Sequence, residues 1–390
     1  MSLYIDTSFE SLNKYNEELC GDKVEVLRNE NSIVVVLADG LGSGVKANIL
    51  ATLTSKIIGT MIANGSSVDE AVETIANTLP VCSERGIAYS TFSILQIFNS
   101  GEGYLVEFDN PAVFRLRKGK PFEIDSTVRV ISGKSIKESR FTVTTEDMFI
   151  MASDGVIHAG IGQTLNLGWQ WKNVAEYIQR TYKTEISAKM MTKLLLSVCD
   201  NLYGHEPGDD TTLVTVSIRK PVKLTVMVGP PINAGEDDHI ISSFAALQGK
   251  KVVCGGTTSQ IVARELGKAI KTRFDYFDPG VPPTAEIEGV DLATEGVLTL
   301  RRTLDHIKAC ESSESTMQDF INLNKKDGAS KLARILLEES TNIHFIVGRA
   351  MNPAHQNPEF PLNLSLKLKL VEEIVIYLRK LGKQVSLEYH

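Results

Sequence analysis

Short apolar bursts set the rhythm of the first half of the chain. Asp22 to Leu27 and Ile33 to Ala38 read as strands, the second (IVVVLA) with no polar position at all. Lys46 to Ile62 changes period: Ile49, Leu50, Leu53, Ile57 and Met61 recur at helical spacing, and Asn64-Gly65 stops the pattern. A second helix is predicted from Val68 to Leu79, with Pro80 beyond its end. Tyr89 to Phe98, Tyr104 to Phe108 and Val113 to Arg117 return to strand character, and Lys118-Gly119-Lys120 is a turn. Val128 to Ile131, Arg140 to Thr144 and Met148 to Ala152 continue the sheet. Val174 to Tyr182 and Ile186 to Leu202 are helical, and Leu213 to Ile218 is a last strand. Consecutive strands with helices in adjacent pairs predict a layered α+β domain, a β-sandwich flanked by helix pairs.

The rhythm changes at Lys220-Pro221. Leu224 to Val228, Lys251 to Cys254, Ile343 to Val347 and Val385 to Leu387 are short strands separated by helical segments. That alternation predicts a smaller α/β domain with a mostly parallel sheet. Ser312 to Ser330 is polar and weakly periodic, which predicts a loop. The chain therefore divides into 1–220 and 221–390.

Composition narrows the partners. Hydrophobic residues make up 43% and charged residues 23%, as in ordinary globular proteins. A net charge of -7 argues against a nucleic-acid backbone or an anionic membrane as main partner. No stretch of 18 uncharged apolar residues occurs, and MSLYIDTSFE lacks the features of a signal peptide. Cys20, Cys82, Cys199, Cys254 and Cys310 form no C-x-x-C pair, so neither a zinc nor a redox motif is indicated. Widely spaced thiols without a signal peptide suit a reducing cytoplasm.

Chemistry concentrates in IVVVLADGLGSGVKANIL, residues 33–50. A strand, a glycine loop and a helix suit a nucleotide phosphate. The dinucleotide reading requires a second strand ending in an acid about 20 residues on. Here that region is Asn64-Gly65-Ser66-Ser67, between two helices, and the Gly-Lys-Ser/Thr of a Walker loop is missing. The competing reading follows the aspartates. Asp22 opens the first strand after Gly21, Asp39-Gly40 ends the second, Asp154-Gly155 follows MFIMAS, and Gly208-Asp209-Asp210 precedes TTLVTVSI. Alone, a strand-end Asp is a turn residue or a helix cap. Four in one repeated pattern point to a metal, with the adjacent glycines letting backbone approach an ion.

The order GD, DGLGSG plus helix, SDGV and DDTTLV resembles the metal-dependent protein phosphatase superfamily, in its bacterial branch named for stage II sporulation protein E. AYSTFSILQI and FDNPAVFRLRKGK match that family's central strands, and the resemblance covers roughly residues 5 to 218. It implies that Asp22, Asp39, the Gly40 carbonyl, Asp154 and Asp209 hold two divalent ions. No Arg precedes Asp22, in contrast to animal-type members, so substrate phosphate is expected to rest mainly on the metals. His158 stands where related bacterial members often carry Glu; it is a candidate for proton transfer or an ordinary loop histidine. Asp210 is a candidate supporting residue, although adjacent strand residues point to opposite faces.

Electrostatics favours the metal reading. Two carboxylates 4 Å apart repel by about 1 kcal/mol in water and about 4 kcal/mol at an effective dielectric of 20. Converging carboxylates must therefore take up protons or cations. All-oxygen ligands favour Mg²⁺ or Mn²⁺ over zinc, with Asp39 the natural bridge between two ions. Such a pair activates water for in-line attack at phosphorus, with no Ser or Cys nucleophile. The resemblance implies a phosphoserine or phosphothreonine protein as substrate, in relatives often an anti-sigma-factor antagonist. It also implies that the helix pair after Asp39 switches the site.

In the second domain, Gly255, Gly256, Thr257 and Thr258 form a glycine turn entering a helix, a candidate anion pocket. Arg349, Asn352 and His355 follow another strand and are expected at the same sheet edge. The equal alternative is tight turns and helix caps in a docking module. The expected role is regulatory, through a ligand or a partner. Two other functions stay open: an inactive phosphatase-like scaffold, and a phosphatase of small phosphorylated metabolites. A homodimer is compatible with the sequence.

Overall fold

Alternate residues of the run Ser32–Asp39 face different cores. Val34, Val36 and Ala38 pack with Ile58, Ile62, Val72 and Ile75, whereas Ile33, Val35 and Leu37 pack with Phe149, Met151, Val214 and Val216. A strand covered on both faces disfavours polar residues, which is why its interior, Ile33–Ala38, is wholly apolar. Each such aliphatic side chain contributes about 1.5–3 kcal/mol by leaving water.

The computed structural model describes residues 3–78, 90–182, 186–272, 280–312, 314–350 and 362–390. Two compact units result, Met1–Lys220 and Pro221–His390. The first begins with β1 (Tyr4–Leu12), β2 (Asp22–Arg28), β3 (Ser32–Asp39), α1 (Gly44–Ala63) and α2 (Val68–Thr78). Then come β4 (Thr91–Phe98), β5 (Glu102–Phe108), β6 (Phe114–Arg117), β7 (Lys120–Pro121), β8 (Thr127–Ile131), β9 (Lys134–Thr142) and β10 (Asp147–Ala152). It closes with α3 (Asp154–Ile157), α4 (Trp171–Thr181), α5 (Ala188–Leu202) and β11 (Thr211–Arg219).

Two antiparallel sheets result, ordered β1-β11-β10-β6-β7 and β2-β3-β4-β5-β9-β8. The expected α+β sandwich is present. Helices α1 and α2 cover the six-stranded sheet, and α4 and α5 cover the other through Val174, Ile178, Met191 and Leu195 packed on Met148, Ile150 and Leu213. The ends Leu79, Pro80 and Tyr89 of two expected elements, and Cys82, lie outside the described residues. Cys20 is half-buried, and Cys199, Cys254 and Cys310 are buried. Among the described residues no helix is long and apolar enough to cross a membrane.

Strand β1 was not expected. It pairs with β11 over nine positions, from Tyr4 opposite Arg219 to Leu12 opposite Thr211. Its sequence, YIDTSFESL, has a weak apolar signal, and its partner lies some two hundred residues away. By its pairing, β1 delivers the connection 13–21 to the loop before β11.

The second unit contains β12 (Lys223–Val228), α6 (Asp237–Ala246), β13 (Lys250–Cys254), α7 (Gly256–Glu265), β14 (Ile270–Thr272), β15 (Ala285–Ile287) and β16 (Val290–Thr294). It continues with α8 (Val297–Glu311), α9 (Met317–Asn322), α10 (Gly328–Leu337), β17 (Asn342–Val347), α11 (Leu362–Lys380) and β18 (Gln384–Tyr389). The sheet order is β14-β15-β16-β13-β12-β17-β18. From β16 to β18 all neighbours are parallel, and β14 and β15 add an antiparallel edge. Helices α6 and α7 cover one face, and α8, α10 and α11 the other. Chain order therefore reverses at β12, as in doubly wound sheets.

The expected loop from Ser312 to Ser330 is corrected: it contains α9 and the start of α10. Helix α9 is too short to show a period. Its signal is the Thr316–Asp319 capping box, with the Asp327 cap of α10 following.

Candidate metal centre

Four loops meet where the sandwich brings strand ends together. Asp22 and Asp39 stand directly opposite each other in the β2–β3 ladder, and the Gly40 N–H donates to the Gly21 carbonyl at 3.1 Å. Like charges in that register destabilise a sheet. Asp154 opens α3 directly after β10. Asp209 and Asp210 precede β11, which is paired to β10. Ser153 and Thr212 fasten these two loops, the Ser153 N–H donating to the Thr212 carbonyl at 3.0 Å and the Thr212 N–H to the Ser153 hydroxyl at 2.8 Å.

The flanking glycines also permit close packing of the protein's own backbone. A methyl group on Gly40 would stand 2.1 Å from the Ala47 carbonyl oxygen of α1, and one on Gly155 2.2 Å from the Asp210 carbonyl oxygen. These glycines let protein backbone segments approach one another, which sets where the aspartates sit. The Tyr203 hydroxyl also donates to the Gly155 carbonyl at 2.7 Å.

The carboxylates form two tiers. Asp22 and Asp210 are buried, with 3% and 4% of their surface exposed, whereas Asp39, Asp154 and Asp209 are partly open to solvent. The two buried ones are incompletely satisfied: among the described residues neither oxygen of Asp22, nor Oδ2 of Asp210, has a partner in full hydrogen-bond geometry, although the Ser153 and Thr212 hydroxyls lie near Asp22. Burial raises the Asp39 pKa, and repulsion from Asp22, Asp154 and Asp209 adds to it. Asp22 is raised by burial and by Asp210 and Asp154, against an opposing pull from the nearby Ser153 and Thr212 hydroxyls. Asp209 is raised by burial and Asp154, while the Asp210 N–H and the charge of Lys14 act the other way.

These shifts set a sign. A carboxyl whose folded pKa is raised favours the folded state at low pH, and that advantage is lost as pH rises through the raised value. Without metal, the gap in melting temperature between Asp39→Asn and the parent is therefore expected to widen as pH rises from 5 into the neutral range. Scanning calorimetry in chelator checks this, and a gap independent of pH would contradict it.

The donor set fits a hard divalent ion: unsatisfied buried carboxylate oxygens are the feature a cation relieves. The arrangement is not a closed cage. Among the described residues, no three His, Cys, Asp or Glu side chains converge tightly enough to enclose an ion. Mg²⁺ retains several waters and takes only one or two carboxylates at typical sites, so an open cluster suits it.

Two further candidates flank the aspartates. Asp210 does not point away from the cluster. It lies ahead of the strand, against Gly21, and Oδ1 accepts the Lys14 N–H at 3.0 Å. His158 caps α3 by its backbone, and its ring is exposed. Lys14 escaped the sequence reading because it lies in the connection after the unforeseen β1. Glu17, in the same connection, accepts the Ser43 hydroxyl at 3.1 Å and abuts Gly44 at the start of α1.

In the second unit the described residues of the expected anion pocket are already engaged or lie apart. Gly255, with φ of 121°, caps α7, but its N–H already donates to the Thr294 carbonyl at 2.8 Å. The Glu295 carboxylate lies against Gly256, putting negative charge where the anion was expected. Thr257 is exposed, and Thr258 is buried beneath Gly255. Strand β12 separates β13 from β17, and Arg349 stands over the Tyr389 ring of β18 at 5.9 Å, away from β13. Asn352 and His355 lie outside the described residues.

Face-to-face antiparallel sheets, outer helix pairs and acidic strand-end loops make up this unit. Residues 29–219, just under half of the chain, match the family model of stage II sporulation protein E (SpoIIE). The match takes in Asp39, Gly40, Asp154 and Asp209 and begins after Asp22. No curated protein sequence matches the chain. Among solved structures, the PP2C phosphatase domain and regulatory fragment of the cell fate determinant SpoIIE from Bacillus subtilis is 18% identical, with a TM-score of 0.48. The match covers 56% of this chain and 63% of that one, less than two thirds of its length. The RsbU and RsbW domains of a Mycobacterium tuberculosis protein are 17% identical over 62% of this chain and 68% of that one, with a TM-score of 0.45. RsbX in complex with magnesium is 20% identical over 55% of this chain and 95% of that one, with a TM-score of 0.38.

Proposed function

We propose that the first unit hydrolyses phosphoserine or phosphothreonine on a protein, using two Mn²⁺ or Mg²⁺ ions, under control of residues 221–390. One observation carries the reading: Asp22 and Asp39 oppose each other beside Asp154, Asp209 and Asp210, and the buried Asp22 oxygens lack partners in full hydrogen-bond geometry. Asp39, the Gly40 carbonyl, Asp154 and Asp209 would hold the ions at the open tier, with Asp22 supplying charge from beneath. When bound, the ions would neutralise this charge, polarise the phosphoryl group and make water a competent nucleophile at neutral pH. The protein's own share is placement. The Ser153–Thr212 fastening and the Tyr203–Gly155 bond hold Asp154 against the Asp209 loop, and Asp210 anchors the connection that carries Lys14.

Lys14, held by its backbone N–H on Asp210, carries positive charge near this acidic centre and opposes the rise in the Asp209 pKa. In the proposed reaction it orients the substrate phosphate, the role for which the sequence offers no arginine before Asp22. Lys14→Ala is expected to raise KM for a phosphoserine protein about tenfold, one ion pair's worth of about 1.4 kcal/mol, with Lys14→Arg retaining most affinity. An unchanged KM in Lys14→Ala would remove it from the site. The function itself is tested by phosphate release from phosphoserine protein, nucleotides and sugar phosphates, each with Mn²⁺, Mg²⁺ or chelator. Metal-dependent turnover of the protein substrate is expected. Preference for a metabolite, or no turnover, contradicts the proposal.

A further inference from the structure

The sheets end in β1, β7, β2, β8, β14 and β18. An open edge presents unpaired N–H and C=O groups, which proteins guard with charge, proline or shortness. Strand β1 carries Asp6 and Glu10, and the Arg28 guanidinium donates to its Ile5 carbonyl at 3.0 Å. Strand β2 carries Lys23, Glu25 and Arg28, β7 is Lys120–Pro121, and the short β14 exposes Lys271. Strand β8 has Arg129 at its middle, so a two-fold pairing centred there would set Arg129 against its own copy. Strand β18 is different. Its sequence, QVSLEY, holds no Lys, Arg, Pro or Gly, and its one charge is Glu388.

The ladder with β17 fixes which backbone groups of β18 stay open. The Gln384 and His390 N–H groups donate to the Thr341 and Val347 carbonyls at 3.0 and 2.9 Å, and the His390 carbonyl accepts the Arg349 N–H at 2.7 Å. Even-numbered residues therefore turn their backbone groups to β17. Alternation turns those of Val385, Leu387 and Tyr389 to the open edge. There the Val385 carbonyl accepts the exposed Arg379 guanidinium at 2.8 Å.

Side chains sort in the same way. Val385 and Leu387 pack on the apolar core under α11. The other face carries Ser386, whose hydroxyl lies 2.8 Å from Nδ1 of His344, and Glu388, whose carboxylate lies 3.1 Å from Nε2 of His344 and 3.0 Å from Nε2 of His390. The three outward residues are symmetric about Leu387. An antiparallel copy related by a two-fold axis at Leu387 would give every outward N–H a carbonyl, Leu387 pairing with Leu387 and Val385 with Tyr389. The Tyr389 N–H would replace Arg379 at the Val385 carbonyl. In that register Ser386 stands beside Glu388 and Gln384 beside His390, so apolar meets apolar, polar meets polar, and no like charges face each other.

We propose that a second copy of this chain docks antiparallel along β18, joining two sheets into one across a two-fold axis at Leu387. Such an interface requires a patch complementary to itself, which this strand supplies. The inference does not rest on the phosphatase reading.

Sedimentation equilibrium of the full chain is expected to show a reversible monomer–dimer equilibrium. Ser386→Glu, which sets a carboxylate against Glu388 at both symmetric positions, should weaken the dimer at least about tenfold. Ser386→Lys, at the same exposed position, should strengthen it about threefold. Under mild oxidation, a mixture of Ser386→Cys and Glu388→Cys chains should form disulfide-linked dimers faster than either chain alone, because the register sets these positions opposite each other. A chain that stays monomeric at several hundred micromolar, a dimer that Ser386→Glu and Ser386→Lys affect alike, or no crosslinking advantage in the mixture would overturn the assignment.

Discussion

Asp39→Asn is expected to lower metal-dependent phosphate release by at least about a thousandfold, the scale of losing a preorganised electrostatic group. The Asp39 carboxylate is repelled by Asp22, Asp154 and Asp209 together. Its amide would keep the shape and remove the charge that draws an ion. The same variant should be more stable than the parent without metal, because it relieves the repulsion that raises the Asp39 pKa. About 2 kcal/mol of relief corresponds to roughly 4–8 °C in the first unit's transition. Lost activity with gained metal-free stability separates a functional carboxylate from a structural one. Lost activity with lost stability would make Asp39 part of the framework.

The second large effect is stabilisation by the ion. At a hundredfold excess over its dissociation constant, a ligand specific for the folded state contributes about 2.7 kcal/mol. For a unit of this size, that raises the melting temperature by roughly 5–11 °C. Mn²⁺ or Mg²⁺ should produce this rise in the parent, and Asp39→Asn should abolish most of it. Ca²⁺, larger and more heavily coordinated, serves as a comparison. An equal rise in parent and variant would locate the ion elsewhere.

The layered architecture was readable because two-sided burial leaves unambiguous apolar runs, as in Ile33–Ala38. The strand-end aspartates were readable as a repeated pattern, and their partnership followed from the resemblance. What escaped was long-range or weakly patterned. Strand β1 is held by β11 far along the chain and exposes Phe9, so periodicity does not reveal it. Lys14 and Glu17 were lost with it. Asp210 was named as a candidate supporting residue, and strand alternation does not apply to it because it precedes the strand. In the second unit, a glycine turn entering a helix resembled an anion site, but the Glu295 carboxylate and the Thr294 carbonyl meet that turn from the neighbouring strand. No local pattern announces such a neighbour.

The central claim is that acidic loops gather at one point because divalent ions compensate them. Manganese titration of the full chain, followed by electron paramagnetic resonance, tests it directly. Two ions bound per parent chain, with loss of both sites in an Asp22→Asn, Asp39→Asn double variant that still folds, is the predicted result. An absence of saturable binding, or a stoichiometry unchanged by the double variant, would contradict it.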